Sequence, residues 1–147
     1  MPDGFEPPLG LETVDVRLEP LGPEHNERDY AAWSSSIEHI RRSPGYEPAS
    51  SWPRPMSLDD NLADLERHAR DLAAREGFTY TVLDRDDDVV GCVYVYPVED
   101  GIHDARVLSW VRESRAELDA PLRRAIADWL RSDAWPFARP LYEPLLS

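Results

Sequence analysis

The chain has 147 residues, 41% of them hydrophobic, and a formal net charge of −13 at pH 7. This hydrophobic content is sufficient for one packed core and argues against general disorder. The negative charge predicts a protein that nucleic acids and anionic membranes repel, and no apolar run reaches the roughly 20 residues that span a bilayer. The lack of a secretory signal and the single cysteine, Cys92, predict a cytoplasmic protein.

The N-terminal residues carry three prolines and no periodicity, so we expect a flexible arm over residues 1–12 and a single domain over residues 13–147. Residues 14–18 alternate between apolar and polar, which predicts a first strand. A helix is expected to begin near residues 24–26, because apolar side chains then recur at helical spacing. Those side chains are Tyr30, Trp33, Ile37 and Ile40.

A long loop over residues 43–55 follows this helix. Its Trp52 could belong to a lid over a binding site, or it could simply cap the core. The next helix is expected to begin after Ser57, whose side chain can accept hydrogen bonds from free backbone N–H groups. Gly77 is placed to end that helix. Its buried stripe consists of Leu58, Leu62, Leu65, Ala69 and Leu72.

Residues 78–110 contain three runs rich in valine, tyrosine and threonine, separated by polar turns, and they predict three consecutive antiparallel strands. Side chains alternate along a strand, so the middle run has two faces. One face is expected to carry Val90, Cys92, Tyr94 and Tyr96, and the other Gly91, Val93 and Val95. Because both faces are apolar, we expect helices on both sides of the sheet.

The last helix is expected to begin at Asp119, a good capping residue, with Pro121 in its first turn. The segment after this helix contains three prolines. Proline confines a strand to a sheet edge, so residues 137–142 are expected to form one short edge strand.

The predicted order is strand, helix, long loop, helix, three antiparallel strands, basic turn, helix and short strand. This order resembles that of the GCN5-related N-acetyltransferase family over residues 14–142. In that family the turn before the last helix follows the pattern Q/R-x-x-G-x-G/A, and residues 115–120 of this chain read RAELDA. The resemblance implies an α/β fold of the α+β kind, with a mixed, mostly antiparallel central sheet and helices on both faces.

The resemblance also implies acetyl-CoA as cosubstrate, because free amides and the helix dipole at a helix start favour its pyrophosphate. In the family the pantetheine arm lies where the strand before the turn and the short strand after the helix splay apart. The residues expected to contact acetyl-CoA are Ser109, Trp110, Val111, Arg112, Arg115, Ala116 and Ala120. Leu118 stands where the family has glycine, and Glu117 and Asp119 add carboxylates beside the expected phosphate position.

Acetyl transfer to an amine requires a deprotonated amine held in line with the thioester. The candidate catalytic residues are Glu99 as base, Tyr94 as holder of a water, and Tyr142 as general acid. His103 is a second candidate base. The residues expected to contact the substrate are Trp52, Tyr96 and His103. The alternatives are a solvent-exposed turn histidine at position 103 and core tyrosines at positions 94 and 96.

The leading hypothesis is an N-acetyltransferase that transfers an acetyl group from acetyl-CoA to a small-molecule amine. No metal is expected, because the histidines show no metal-ligand spacing. The first alternative is a catalytically inactive binding module of the same fold, and the second is an acidic protein that imitates nucleic acid. The family usually continues with a further helix and two strands, which are expected to be absent here. We therefore expect an exposed sheet edge and a homodimer formed through residues 135–146.

Overall fold

The computed structural model describes residues 1–46 and 52–146, so part of the expected loop over residues 43–55 lies outside the described residues. The strands are β1 (Leu11–Glu12), β2 (Arg17–Pro20), β3 (Phe78–Leu83), β4 (Val89–Pro97), β5 (Ala105–Val111) and β6 (Pro140–Leu141). The helices are α1 (Asn26–Ser34), α2 (Ile37–Arg41), α3 (Leu58–Ala74) and α4 (Asp119–Arg131). Two short 3-10 helices, Pro23–His25 and Glu113–Leu118, precede α1 and α4.

The six strands form one sheet in the order β1 to β6. Neighbouring strands are antiparallel as far as β5, and β6 lies parallel to β5. Strands β3, β4 and β5 confirm the predicted meander, and β6 confirms a short edge strand within residues 137–142. The first long strand is shifted from the predicted residues 14–18 to Arg17–Pro20, because Thr13 forms a hydrogen-bonded turn with Val16.

Each face of the sheet carries its own hydrophobic core, which confirms the predicted mixed fold with helices on both sides. On one face α4 supplies Leu122, Ile126 and Leu130, which pack with Val93, Val95 and Val107 of the sheet. On the other face α1 and α3 supply Trp33 and Leu65, which pack with Cys92, Tyr94 and Trp110. Cys92 is fully buried, as predicted, and burial raises the pKa of its thiol well above the ordinary value.

A β-bulge at the start of β4 changes which side chains face each core. The pairing register between β3 and β4 shifts at Val82 and Leu83, so that Leu83 pairs with Val89 and the ladder skips Val90. One inserted residue exchanges the faces of its neighbours. Val90 therefore packs with the α4 core, and the prediction that it shares a face with Cys92 was wrong.

The helix expected from residues 24–26 to Ile40 is divided into α1 and α2 at Ser35 and Ser36. The Ser36 hydroxyl accepts a hydrogen bond of 2.9 Å from the Glu113 backbone N–H, and this tertiary contact competes with helix continuation. The α3 start was predicted correctly, since the Asp60 N–H donates to the Ser57 hydroxyl at 3.0 Å. Within the described residues, no helix has both the length and the apolar character that crossing a membrane requires.

The end of α3 lies against the N-terminal segment. Its closing residue is Arg75, with φ of 58° in the left-handed region, rather than the predicted Gly77. The Arg75 Nε donates a hydrogen bond of 2.8 Å to the Phe5 carbonyl, and the Phe5 ring packs edge-on against Phe78. The segment expected as an arm over residues 1–12 thus contacts the core and includes strand β1.

Candidate functional site

The side of the sheet that α1 and α3 cover contains a cavity of about 690 Å³. This volume lies within the range of about 300–1,000 Å³ that is typical of small-molecule sites. Its floor is formed by side chains of β4 and β5, and its walls by α1, α3 and residues on either side of positions 47–51. The lining residues with distinctive chemistry are Asp29, Tyr46, Trp52, His68, Tyr94 and Tyr96.

Aromatic rings form one wall of the cavity. Tyr94 and Tyr96 follow each other on the same face of β4, and their stacked ring centroids lie 6.2 Å apart. The Trp52 ring lies 6.4 Å from that of Tyr94. The structure therefore brings together Trp52, Tyr94 and Tyr96, three of the site residues predicted from the sequence. The Tyr94 hydroxyl accepts a hydrogen bond of 2.9 Å from the Trp110 indole, which fixes its orientation.

Asp29 places a buried carboxyl group on the cavity wall. Its side chain projects from α1, and the residue is 4% exposed. Of the described residues, only Asn61 donates a hydrogen bond to this carboxyl, at 3.1 Å. Burial raises the pKa of Asp29 to about 6, although the Asn61 bond opposes the shift. The nearby charge of His25 also opposes the shift, but among the described residues no cation forms an ion pair with this carboxyl, so at neutral pH the cavity contains a buried carboxylate bonded only to an amide.

His68 is a second ionisable residue, besides Asp29, that lines the cavity and that the sequence did not indicate as a site residue. Its ring lies 5.7 Å from that of Tyr94, and its Nδ1 is 3.2 Å from the Thr79 hydroxyl. Burial, assisted by the nearby charge of Arg67, lowers the pKa of His68 below its ordinary value. The imidazole is therefore neutral at pH 7 and able to accept a proton.

Three arginines, Arg54, Arg67 and Arg106, also line the cavity. Arg67 lies 3.7 Å from the Asp64 carboxylate, and Arg106 donates a hydrogen bond of 3.3 Å to the Gly45 carbonyl. These cations are more exposed than Asp29. The cavity thus combines a buried anionic position with exposed cationic positions.

Two of the residues predicted to act as a base or to contact the substrate lie in the turn after β4, outside this cavity. Glu99 is exposed in the turn after β4. His103 lies in the same turn, where its Nδ1 is 3.4 Å from the Asp100 carboxylate. Neither residue is among the described residues that line the cavity. The alternation of side chains along β4 correctly predicted that Tyr94 and Tyr96 share a face. Residues in a turn have no such alternation, so the sequence could not predict which way Glu99 and His103 point.

The opposite face of β5 contains the region where the family resemblance places the pantetheine arm. Strands β5 and β6 pair only at two positions, Ala105 with Pro140 and Arg106 with Leu141. Beyond this pairing, the Ser109 hydroxyl lies 2.6 Å from the Tyr142 hydroxyl. Arg123 of α4 donates to the Ser109 carbonyl at 3.3 Å, and its guanidinium lies 5.6 Å from the centre of the Tyr142 ring. We call Ser109, Arg123 and Tyr142 the Arg123 strut.

The expected phosphate turn is a 3-10 helix, Glu113–Leu118. Arg115 forms ion pairs with Asp84 at 2.6 Å and with Glu117 at 3.1 Å. Leu118 is 7% exposed and packs into the α4 core. The Asp119 N–H donates to the Ala116 carbonyl, so this amide at the α4 start is already bonded.

The remaining residues expected to contact acetyl-CoA are divided between core and surface. Trp110 and Val111 are buried, and Arg112 donates a hydrogen bond of 3.3 Å to the Val89 carbonyl. Ala116 and Ala120 are exposed. Asp119 was predicted to cap α4, but its carboxylate instead accepts a bond of 2.9 Å from Arg123.

The described residues contain no group of three or more histidine, cysteine or acidic side chains that could hold a metal ion. The cavity residues that the sequence did not indicate as site residues are Asp29, Asn61 and His68. His68 offered a weak signal, because it lies off the apolar stripe of α3. Asp29 and Asn61 offered none, since only the packing of α1 against α3 brings them together.

No family model matches the sequence, and no curated protein matches it. Solved structures match well. The ribosomal-protein-S5-alanine acetyltransferase from Vibrio fischeri superposes with a TM-score of 0.62 and 14% identity, over 84% of this chain and 67% of that one. An acetyltransferase from Salmonella typhimurium that modifies the N-terminal serine of ribosomal protein L7/L12 superposes with a TM-score of 0.61 and 11% identity. This match covers 84% of this chain and 68% of that one.

The microcin C7 self-immunity acetyltransferase MccE, solved with acetyl-CoA and AMP, has a TM-score of 0.65 and 13% identity. The match covers 90% of this chain and 73% of MccE. The TM-scores of these matches establish the fold. The sequence identities are too low to carry the activity over, so the activity has to be argued from the site. The chain has the fold of the GCN5-related N-acetyltransferases, as the sequence resemblance predicted.

Proposed function

We propose that the protein binds a small organic amine in the cavity beneath α1 and α3. The observation that carries this proposal is the Asp29 carboxylate, which is 4% exposed and, among the described residues, receives a hydrogen bond from Asn61 but forms no ion pair. A buried charge is unfavourable unless an opposite charge accompanies it. An ammonium group of a ligand supplies that charge.

The aromatic wall supports the same class of ligand. Rings of tryptophan and tyrosine attract cations through their π faces, and Trp52, Tyr94 and Tyr96 present such rings to the cavity. The buried Tyr46 hydroxyl has no hydrogen-bond partner among the described residues, so it remains available to a polar ligand group. These groups complement an amine with an apolar or aromatic body.

The cavity arginines narrow the ligand class further. Arg54, Arg67 and Arg106 would repel a simple cation, but they complement an acidic group on the same molecule. A zwitterion therefore matches the cavity best, with its ammonium at Asp29 and its acidic group at an arginine. Amino acids and their derivatives have this arrangement of charges.

Acetyl transfer from acetyl-CoA to this amine is the second candidate function. It is favoured by the fold and by the neutral His68 imidazole, which could remove a proton from the bound amine. The residues expected to hold the coenzyme do not fit it in this structure. Arg115 is paired with two carboxylates, and the Arg123 strut fills the gap beyond the β5–β6 pairing. Amine binding without transfer is therefore the function that the geometry supports best.

Calorimetric titration at pH 7.5 tests the amine site with phenylalanine, phenethylamine and 3-phenylpropionate. We expect the zwitterion to bind most tightly and the acid without an amine to bind least. Asp29→Asn should weaken zwitterion binding about 10- to 100-fold, because a charge-assisted contact contributes roughly 1.5–3 kcal/mol. Glu27→Gln removes an exposed carboxylate from the same helix and should leave the affinity unchanged.

Equal binding by the parent protein and Asp29→Asn would contradict the amine site. The same samples distinguish binding from transfer when acetyl-CoA is added and free thiol is measured. Thiol release that depends on the amine and is lost in His68→Gln would establish acetyl transfer as the function.

A further inference from the structure

The region between β5 and the chain after β6 is occupied by the protein's own side chains. Ser109 is 0% exposed, Tyr142 1% and Arg123 5%. These residues come from β5, from the segment after β6 and from α4. The Ser109 and Tyr142 hydroxyls lie 2.6 Å apart and join β5 directly to the segment after β6. The family resemblance predicts that these two parts of the chain diverge.

Arg123 is held in this region from several directions. It accepts no hydrogen bonds and donates to the Asp119 carboxylate at 2.9 Å, the Glu143 carbonyl at 3.2 Å and the Ser109 carbonyl at 3.3 Å. Its guanidinium also lies over the Tyr142 ring. A buried cation with this many partners resists removal, because withdrawing it leaves polar groups unpaired.

The Ser109 carbonyl is the important acceptor in this arrangement. A pantetheine arm binding along the β5 edge would require backbone groups of β5 that are free to accept or donate hydrogen bonds. Arg123 already uses the Ser109 carbonyl, and the Tyr142 ring and hydroxyl fill the space beside it. A ligand there must displace both side chains.

We infer that the Arg123 strut closes the donor cleft, the gap between β5 and the segment after β6 in which this fold would hold the acetyl donor. The parent chain therefore does not admit coenzyme A there. The side chains of the Arg123 strut occupy the space that the coenzyme would occupy, and they join β5 to the segment after β6. This inference concerns the face opposite the amine cavity and does not depend on the proposed amine ligand.

Titration with coenzyme A tests the inference on the full chain, using two variants and a control. Arg123→Met keeps most of the side-chain volume but removes the bond to Ser109. Tyr142→Phe keeps the ring and removes only the hydroxyl contact, which retains a test if Arg123→Met fails to fold. Arg124→Met removes the neighbouring, exposed charge of α4. Circular dichroism confirms folding of each variant.

We expect the parent and Arg124→Met to show no binding at 1 mM coenzyme A, and at least one strut variant to bind at least about tenfold more tightly. Binding by the parent with a Kd of about 1 mM or less would overturn the inference. So would a folded strut variant pair that binds no better than the parent, because closure would then have another cause. The affinity for the amine is measured separately in the parent and the three variants, and it is expected to be the same in all four proteins.

Discussion

At the scale of single residues, Asp29 should lower the stability of the protein while it supplies the ligand's counter-ion. Its pKa rises from 3.8 to about 6 on folding, so the folded state holds the proton more tightly than the unfolded chain. Stability contributed by the protonated form is present below pH 4 and is lost as pH rises through about 6. A shift of two pKa units corresponds to about 3 kcal/mol.

Asp29→Asn should therefore raise the free energy of unfolding by up to about 3 kcal/mol at pH 8 and by almost nothing at pH 4. Asparagine can still accept the Asn61 hydrogen bond, so the packing is retained. Urea denaturation at the two pH values measures the difference, with Glu27→Gln as the control. A gain of equal size at both pH values would show that ionisation is not its cause.

The same carboxyl group predicts how amine binding depends on pH. Below about pH 6 Asp29 is protonated and offers no charge to an ammonium group. The affinity should therefore rise between pH 5 and pH 7.5 and then level off until the amine itself loses its proton. Calorimetry across this range measures the change, and an affinity that stays constant in the parent protein would exclude Asp29 as the counter-ion.

At the scale of secondary-structure elements, local pattern predicted α3, α4 and the three central strands. Hydrophobic spacing and the Ser57 cap specify α3, and alternation specifies the tyrosine face of β4. The bulge at Val89 and Val90 could not be predicted, because both residues are valine and either one suits either face. The division of α1 from α2 depends on a contact with Glu113, far along the chain.

The candidate site was only partly predictable for the same reason. Trp52, Tyr94 and Tyr96 were found because alternation and aromatic content are local properties. Asp29 and His68 lie on two helices whose relative position depends on tertiary packing. The predicted acetyl-CoA site depended on the pattern of the turn at residues 115–120. The sequence could not show that Arg123 and Tyr142 occupy the space beside Ser109.

The pairing of β4 with β5 predicts a strict requirement for glycine at position 91. A Cβ atom there would overlap the backbone oxygen of Trp110, which cannot move without separating the strands. Gly91→Ala should lower the free energy of unfolding by about 1–3 kcal/mol, as overpacking usually does. Chemical denaturation measures this loss. Gly4→Ala adds a carbon that meets no atom within 4 Å, but φ at Gly4 is 78°, so its cost of about 1–2 kcal/mol should reflect backbone strain alone.

At the scale of the whole molecule, the net charge of −13 acts together with the cavity. A strongly negative protein attracts cations and repels anions over distances of about a Debye length, roughly 8–10 Å at physiological salt. The charge thus favours the approach of a cationic amine, has little effect on a zwitterion without net charge, and disfavours polyphosphates such as a coenzyme. The polar cavity and the closed donor cleft agree with this overall field.

The charge and the chain's own packing also determine whether copies associate. The sequence predicts a homodimer through residues 135–146, but in the structure Trp135 is 5% exposed and Tyr142 is 1% exposed. Backbone hydrogen bonds of 2.8 and 2.7 Å between Tyr142 and Leu146 fold this segment onto itself. Of the large apolar side chains described in this segment, only Leu145 is exposed.

A stable interface buries about 800 Å² on each partner, which one leucine does not provide. We therefore expect light scattering at 100 µM protein to give the monomer mass of 16.8 kDa. Raising the salt concentration to 0.5 M screens the repulsion between negatively charged copies. It should leave this mass unchanged, because among the described residues of this segment Leu145 is the one large apolar side chain that is exposed. A dimer that Leu145→Asp dissociates would instead restore the prediction made from the sequence.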